Sequence, residues 1–243
     1  MRMLTFSTRC TKEIIRDPLN VFFGLGFPAV LLLLLSAMQK NIPVALFEIE
    51  SLAPGIAVFG LSFMTLFSAT LIARDRESAF LARLYTTPLS PWDFILGYTL
   101  PMLPVALAQT VFCYLLALLI GFPLRINVVY AVLAIIPIAF LYVSLGLLFG
   151  SIFNVKQVGG ICGALLTNLS AWLSGIWFDI ALVGGTFSKI ANLLPFVHAV
   201  EIERGIITGD HSGLLINIAV VTCYGAVAYI GAAFAFFRQM KRQ

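Results

Sequence analysis

Apolar residues dominate this chain in long blocks, and polar residues collect in short islands between them. Six blocks are long enough to cross the hydrocarbon core of a bilayer, which takes about 20 residues in a helix: Leu19–Met38, Leu52–Ala73, Phe94–Ile120, Asn127–Ile152, Val158–Phe178 and Gly213–Phe237. The third and fourth are joined only by Gly121-Phe122-Pro123-Leu124-Arg125-Ile126, a tight reversal built on Gly and Pro. Pro28, Pro101, Pro104 and Pro137 lie inside blocks and predict kinks or irregular turns. Before the first block, residues 1–17 place Met3, Cys10 and Ile14 on one helical face, with Leu4 and Ile15 beside it and Arg2, Arg9, Lys12, Glu13 and Arg16 elsewhere. That pattern predicts an interfacial helix, ended by Pro18.

Two islands stand out. Residues 74–93 are charged and polar, with Phe80, Leu81, Leu84 and Tyr85 at helical spacing and a stop at Thr86-Thr87-Pro88-Leu89-Ser90-Pro91. A short amphipathic helix presented between two spans suits docking into a groove on a partner. Glu77, with Arg74, Arg76 and Arg83 near it, is expected to pair with Arg9 or Lys12 of the N-terminal helix. Residues 179–212 mix charge with an apolar run, Ile190 to Val197, too short to span. They predict a re-entrant helical hairpin turning at Gly184-Gly185, with Glu201, Glu203 and Arg204 pairing at the outer surface.

Composition narrows the class. Of 243 residues, 60% are hydrophobic and only 11% charged, against about 25% charged in a soluble domain. Mean hydropathy is +1.01. The expected fold is therefore an all-α polytopic membrane protein: one transmembrane domain over residues 1–243, with six transmembrane helices. The first apolar run has no small-residue cleavage site and is long enough to remain in the membrane. Eleven Lys and Arg flank one set of faces, the two termini and the second and fourth loops, and four flank the other. Both termini and the 74–93 island are therefore expected in the cytoplasm, in a cell membrane. The basic residues are scattered along membrane edges, so no nucleic-acid partner is expected.

Chemistry is sparse. No Lys follows a Gly, so the chain has no phosphate-binding loop, and Gly-x-Ser-x-Gly is absent. His198 and His211 lie far apart in sequence, Cys10, Cys113, Cys162 and Cys223 are dispersed, and no catalytic, metal or cofactor site is expected in the chain itself. The six blocks contain no Asp, Glu, Lys or Arg, and Gln109 and Asn168 are their strongest polar side chains. A carrier driven by ions usually holds charge within its spans. Energy is therefore expected from a partner that grips the 74–93 island.

These stretches together resemble the permease subunits of ABC-2 type transporters, the six-span type V exporter fold. Asp75-Arg76-Glu77, Leu81 to Leu84, Thr87-Pro88-Leu89-Ser90 and Ile95-Leu96-Gly97 are similar to that family's coupling-helix region. Ser174-Gly175-Ile176-Trp177-Phe178 resembles its motif at the end of the fifth span, and Leu194 to Glu201 with Arg204-Gly205 its outer segment before the sixth. Asp179 stands where the family often has proline, and Asp75 where Glu is common.

The resemblance implies a non-catalytic subunit, paired with a second permease subunit on ABC nucleotide-binding subunits that hold ATP and Mg. It implies ATPase coupling through Glu77, Phe80, Leu81, Arg83, Leu84, Tyr85, Thr87, Pro88 and Leu89. Trp177, Phe178, Leu194, Pro195 and Phe196 are the expected outer gate, and Phe63, Phe67, Phe112, Asn168 and Trp172 line the expected substrate path. The implied activity is efflux of a hydrophobic or amphipathic substrate, such as a drug, antibiotic, peptide or lipid-like molecule, as in multidrug resistance. Polysaccharide or glycolipid export is the alternative within the family, and a stand-alone carrier the alternative outside it.

Overall fold

The computed structural model describes residues 2–41, 47–78 and 91–240. Every regular element among them is helical. The N-terminal helix α1 (Arg2–Arg16) leads through α2 (Pro18–Val21) and a π-helical turn, Phe22–Gly26, into α3 (Phe27–Gln39). Next come α4 (Ile49–Glu77), α5 (Pro91–Thr99), α6 (Met102–Ile120) and α7 (Asn127–Ile152). Then follow α8 (Val155–Val158), a π-helical stretch Gly159–Leu166, and α9 (Thr167–Trp172). Three shorter helices, α10 (Ile180–Val183), α11 (Gly185–Leu193) and α12 (Pro195–Thr208), precede the long α13 (Leu214–Met240).

Five helical segments are long and apolar enough to cross a membrane: Phe22–Gln39, Ile49–Glu77, Asp93–Ile120, Asn127–Ile152 and Leu214–Arg238. The expected fifth span, Val158–Phe178, is not among them. Its helix begins earlier, includes Lys156 and Gln157, runs π-helical through three glycines and ends at Trp172. Residues 173–178 follow in turns and bends. The second block also differs, because its helix continues to Glu77. Nothing in Arg74-Asp75-Arg76-Glu77 breaks a helix, so residues expected to open a loop form the last turn of α4.

α4 is the axis of the bundle, with nearly every residue from Leu52 to Ala73 buried. It packs on α7, α6, α12 and α3, while α13 covers α7 from the outside. The α4–α7 contact is close because Gly146 and Gly150 lie one turn apart on α7. A Cβ on Gly150 would lie 2.7 Å from the Ala69 carbonyl oxygen, and one on Gly146 would overlap Ser68. Small residues spaced by four let helix backbones approach within a membrane. The Thr65 hydroxyl donates to the Tyr142 carbonyl across the same seam, at 2.8 Å.

Prolines and glycines shape the ends. Pro101 separates α5 from α6, and Pro104 lies in the first turn of α6. Gly121 ends α6 with φ 116°, and the Phe122 N–H reaches back to the Ala117 carbonyl. This left-handed cap makes the tight reversal that the sequence predicts. Gly184 and Gly185, at φ 64° and 56°, separate α10 from α11. The Asp179 side chain accepts from the Ala181 N–H at 2.8 Å and caps α10.

Candidate functional site

The last turn of α4 is a junction. Its four consecutive charged residues each hold a different element. Arg74 pairs with Asp17, between α1 and α2, at 3.3 Å. Asp75 is almost fully buried and receives both guanidinium nitrogens of Arg9 from α1, at 2.7 and 2.8 Å. The Tyr98 hydroxyl of α5 donates to the same carboxylate at 2.7 Å. Arg76 donates to the carbonyls of Gly150 and Phe153 at the C-terminal end of α7. Glu77 accepts from the Val155 N–H, 2.9 Å away, at the start of α8.

The signs suit the helix dipoles. A cation sits at the carbonyl end of α7, and a carboxylate at the N–H end of α8. Asn154 and Gln157 complete that N-terminus as a reciprocal capping box. Glu77 therefore does not pair with Arg9 or Lys12, as the charge pattern suggested. Arg9 belongs to Asp75 and, at 2.8 Å, to Glu13.

α1 is seated by packing as well as charge. Phe6, Cys10 and Ile14 form its buried stripe, while Ile15 is exposed. The Phe6 ring meets the Tyr98 and Phe94 rings edge-on at 4.9 and 5.8 Å. Gly97 makes this possible, since a Cβ there would overlap the Phe6 ring. Burial pushes the Cys10 thiol up to about 12, leaving it an unreactive packing residue.

Of the expected coupling residues, Glu77 is placed at this junction. Phe80, Leu81, Arg83, Leu84, Tyr85, Thr87, Pro88 and Leu89 lie outside the described residues. Asp75 and Tyr98, absent from the expected set, form its buried centre, with Arg9 half-buried against them. The legible signal was four charges of alternating sign continuing an unbroken helix.

At the other end of the bundle, Arg204 and Glu203 occupy the interior. Arg204 Nε donates to the Ser51 carbonyl and Nη1 to the Gly175 carbonyl, each at 3.1 Å, joining α12 to the start of α4 and to the turn after α9. Glu203 is fully buried and accepts from the Tyr114 hydroxyl at 2.7 Å. Surface pairing of Glu201, Glu203 and Arg204 is thus replaced by burial of Glu203 and half-burial of Arg204, because α12 packs against α4, α7 and α13. His198 contacts the Asn217 side chain at 2.7 Å and the Asn192 carbonyl at 2.9 Å, tying α12 to α13 and α11.

Burial pushes the Glu203 carboxyl up to about 8, opposed by the Tyr114 hydroxyl. A carboxyl raised in the folded state stabilises it fully below the ordinary carboxyl pKa, and that contribution is lost as pH rises through about 8. Glu203→Gln is therefore expected to melt near the native temperature at about pH 5 and above it at about pH 9. Melting curves of the two proteins that stay parallel across this range would refute the buried, protonated acid.

The expected gate and path residues divide. Phe196 is buried and tilted against the Tyr142 ring, Pro195 is buried, and Trp177, Phe178 and Leu194 are half-buried. The large apolar side chains exposed on α10 and α11 are Leu182, Val183, Ile190 and Leu193. Phe63 lies in an aromatic cluster with Phe23, Phe27 and Phe59, and Trp177 meets Phe59. Phe67 lines a cavity between α1, α4 and α6. Phe112, Asn168 and Trp172 are exposed on the outside of the chain, with the Asn168 amide bonded to its own helix at Ala164.

A family model described as ABC-2 type transporter matches residues 2–208. Nodulation protein J of Sinorhizobium fredii is 24% identical over 220 residues, which cover 88% of this chain and 80% of that protein. A protein of Pyropia yezoensis described as a transport permease, ycf38, is 32% identical over 120 residues, 47% of this chain and 41% of its own.

Proposed function

The chain belongs to the ABC-2 type transporter family, and from that premise we propose that it is the non-catalytic permease subunit of an ATP-driven exporter. Its partners are an ABC nucleotide-binding subunit, which carries the ATP and Mg, and a second permease subunit. Its termini and residues 74–93 face the cytoplasm of a cell membrane, in line with the asymmetry of Lys and Arg. Its substrate is hydrophobic or amphipathic and moves outward.

The observation that carries this reading is the charged last turn of α4. It immediately precedes the amphipathic segment 79–90, and it is joined to α1, α5, α7 and α8 by short polar contacts. Force applied by an ATPase to residues 79–90 enters the bundle at this turn. It reaches four helices without passing through a loop. For ATP to drive transport, the ATPase must bind the two end states with different free energies, and rigid seating of the junction allows that difference to reach the spans. At the far end, α10 and α11 with their exposed leucines form the outer gate against the second permease subunit. The tie from Arg204 of α12 to Ser51 and Gly175 joins the segments on either side of that gate to the start of α4.

The test is on the segment itself. Buried aromatic and Arg anchors at an interface cost about 2 kcal/mol or more when lost. Leu84→Asp and Arg83→Glu are therefore expected to release the ATPase from the tagged permease in mild detergent, or to abolish substrate stimulation of its hydrolysis, with membrane insertion unchanged. Copurification and stimulated hydrolysis at native levels in both variants would overturn the coupling role.

A further inference from the structure

The polar face of α1 opens onto a cleft of about 900 Å3 beside the last turn of α4. Four cations line it, Arg9, Lys12, Arg16 and Arg74, against two carboxylates, Glu13 and Asp17. Both carboxylates are engaged: Glu13 pairs with Arg9, which also holds Asp75, and Asp17 pairs with Arg74. Lys12 and Arg16 are exposed and have no partner among the described residues. Four apart on α1, they stand one above the other on the same face, where like charges repel and weaken a helix. An anion over this pair removes that repulsion.

The cleft lies where two spans meet the bilayer surface. α1 leads through α2 into the span Phe22–Gln39, and Arg74 belongs to the last turn of the span Ile49–Glu77. Two large apolar side chains are exposed beside it. Ile15, 60% exposed, flanks the cationic face of α1, between Lys12 and Arg16 in sequence. Phe22, 53% exposed, follows where the first span begins. A soluble anion answers the two cations and leaves both apolar side chains uncovered. A phospholipid answers all four residues, with a phosphate over the cations and an acyl chain along Ile15 and Phe22. A zwitterionic headgroup brings a cation of its own, whereas a headgroup of net negative charge matches the unpaired pair.

We propose that this cleft binds an anionic phospholipid, with Lys12 and Arg16 on its phosphate and Ile15 and Phe22 against its chain. Arg9 and Arg74 line the same cleft, so the lipid borders two of the residues that seat α1 on the last turn of α4. Its place in the cytoplasmic leaflet, and any effect on ATPase coupling, rest on the transport reading above. Binding itself needs neither an ATPase nor a known orientation, so the two can fail separately.

The probes are dioleoylphosphatidylglycerol and dioleoylphosphatidylcholine, which share their chains and differ in headgroup charge. Titration of the full-length permease in detergent, read by native mass spectrometry, gives the affinity for each. A cation near an anionic lipid surface contributes about fivefold, so two should favour the glycerol lipid by about ten- to thirtyfold. Lys12→Gln and Arg16→Gln are each expected to lose about fivefold, and the double variant should bind the two lipids alike. Both positions are exposed and glutamine suits a helix, and gel filtration checks that each variant stays folded. Lys156→Gln, at an exposed cation of α8, should leave the preference intact, and millimolar glycerol 3-phosphate should leave the lipid bound. Five results would overturn the assignment. The native protein may bind both lipids equally, or the double variant may keep the preference. Lys156→Gln may lose as much as Lys12→Gln, which would reduce the effect to general surface charge. Glycerol 3-phosphate may displace the lipid, which would make the cleft a site for soluble phosphate. The double variant may shed a copurifying ATPase with lipid binding unchanged, which would make it a protein contact.

Discussion

Arg9→Ala is expected to destabilise this permease more than Asp75→Asn, although both remove the same ion pair. The two partners differ in burial: the Asp75 side chain is 3% exposed and that of Arg9 35%. Removing Arg9 leaves a buried carboxylate whose remaining described partner is the Tyr98 hydroxyl. An uncompensated buried charge costs about 3–5 kcal/mol, and partial exposure of the pair brings the expectation here to about 2–3 kcal/mol. Asp75→Asn removes the charge itself, keeps an acceptor for Tyr98, and leaves Arg9 its pairing with Glu13 and access to water, for about 1 kcal/mol. The double variant should therefore be more stable than Arg9→Ala alone. In a chain of this length, 1 kcal/mol corresponds to about 2–4 °C in Tm, so the order is readable by thermal unfolding in one detergent. If Asp75→Asn proves the more damaging change, or the double variant the worst, the buried-carboxylate account of the junction is wrong.

The hydrophobic blocks, the reversal at Gly121 and the break at Gly184-Gly185 were legible because each rests on local chemistry: apolar length, or a glycine where the backbone turns left-handed. The junction was not legible as a site. Arg74 to Glu77 read as a polar loop because charge usually leaves a membrane span, and nothing local shows that Arg9, 66 residues away from Asp75, returns to it. The role of Glu77 was misplaced for the same reason. Its partner is a backbone N–H at Val155, and such a donor has no signature in composition. Glu203 and Arg204 read as surface charge because α12 is short. Only its packing against three long helices buries Glu203 and half-buries Arg204. The fifth block is absent from the apolar spans for a different reason. Its helix starts before the block, so Lys156 and Gln157 join the glycines and Asn168 in diluting the hydropathy, and it ends at Trp172, before the motif at Ser174.

Gly150→Leu is expected to force α7 away from α4. The nearest atoms to a Cβ at this position belong to the backbone of Ala69, its oxygen at 2.7 Å and its Cα at 2.8 Å. Backbone cannot rotate aside as a side chain can, so α7 must move away from α4. Overpacking typically costs about 1–3 kcal/mol when neighbours can relax, and here the separation breaks further contacts. The Arg76 bond to the Gly150 carbonyl and the Thr65 bond to the Tyr142 carbonyl both cross this seam. The variant should thus lose most of its monodisperse fraction on gel filtration, or melt about 6 °C or more below the native protein. Gly160→Ala is the matching control. A Cβ there meets nothing within 4 Å, and alanine favours a helix over glycine by up to about 1 kcal/mol. It should leave the melting temperature unchanged or slightly raised. Because Arg76 sits beside Asp75 and Glu77 in the same turn, any Gly150→Leu protein that still assembles should show uncoupled ATP hydrolysis with Asp75 intact. A Gly150→Leu protein that melts and couples like Gly160→Ala would mean that the close α4–α7 seam neither holds the bundle nor positions the junction.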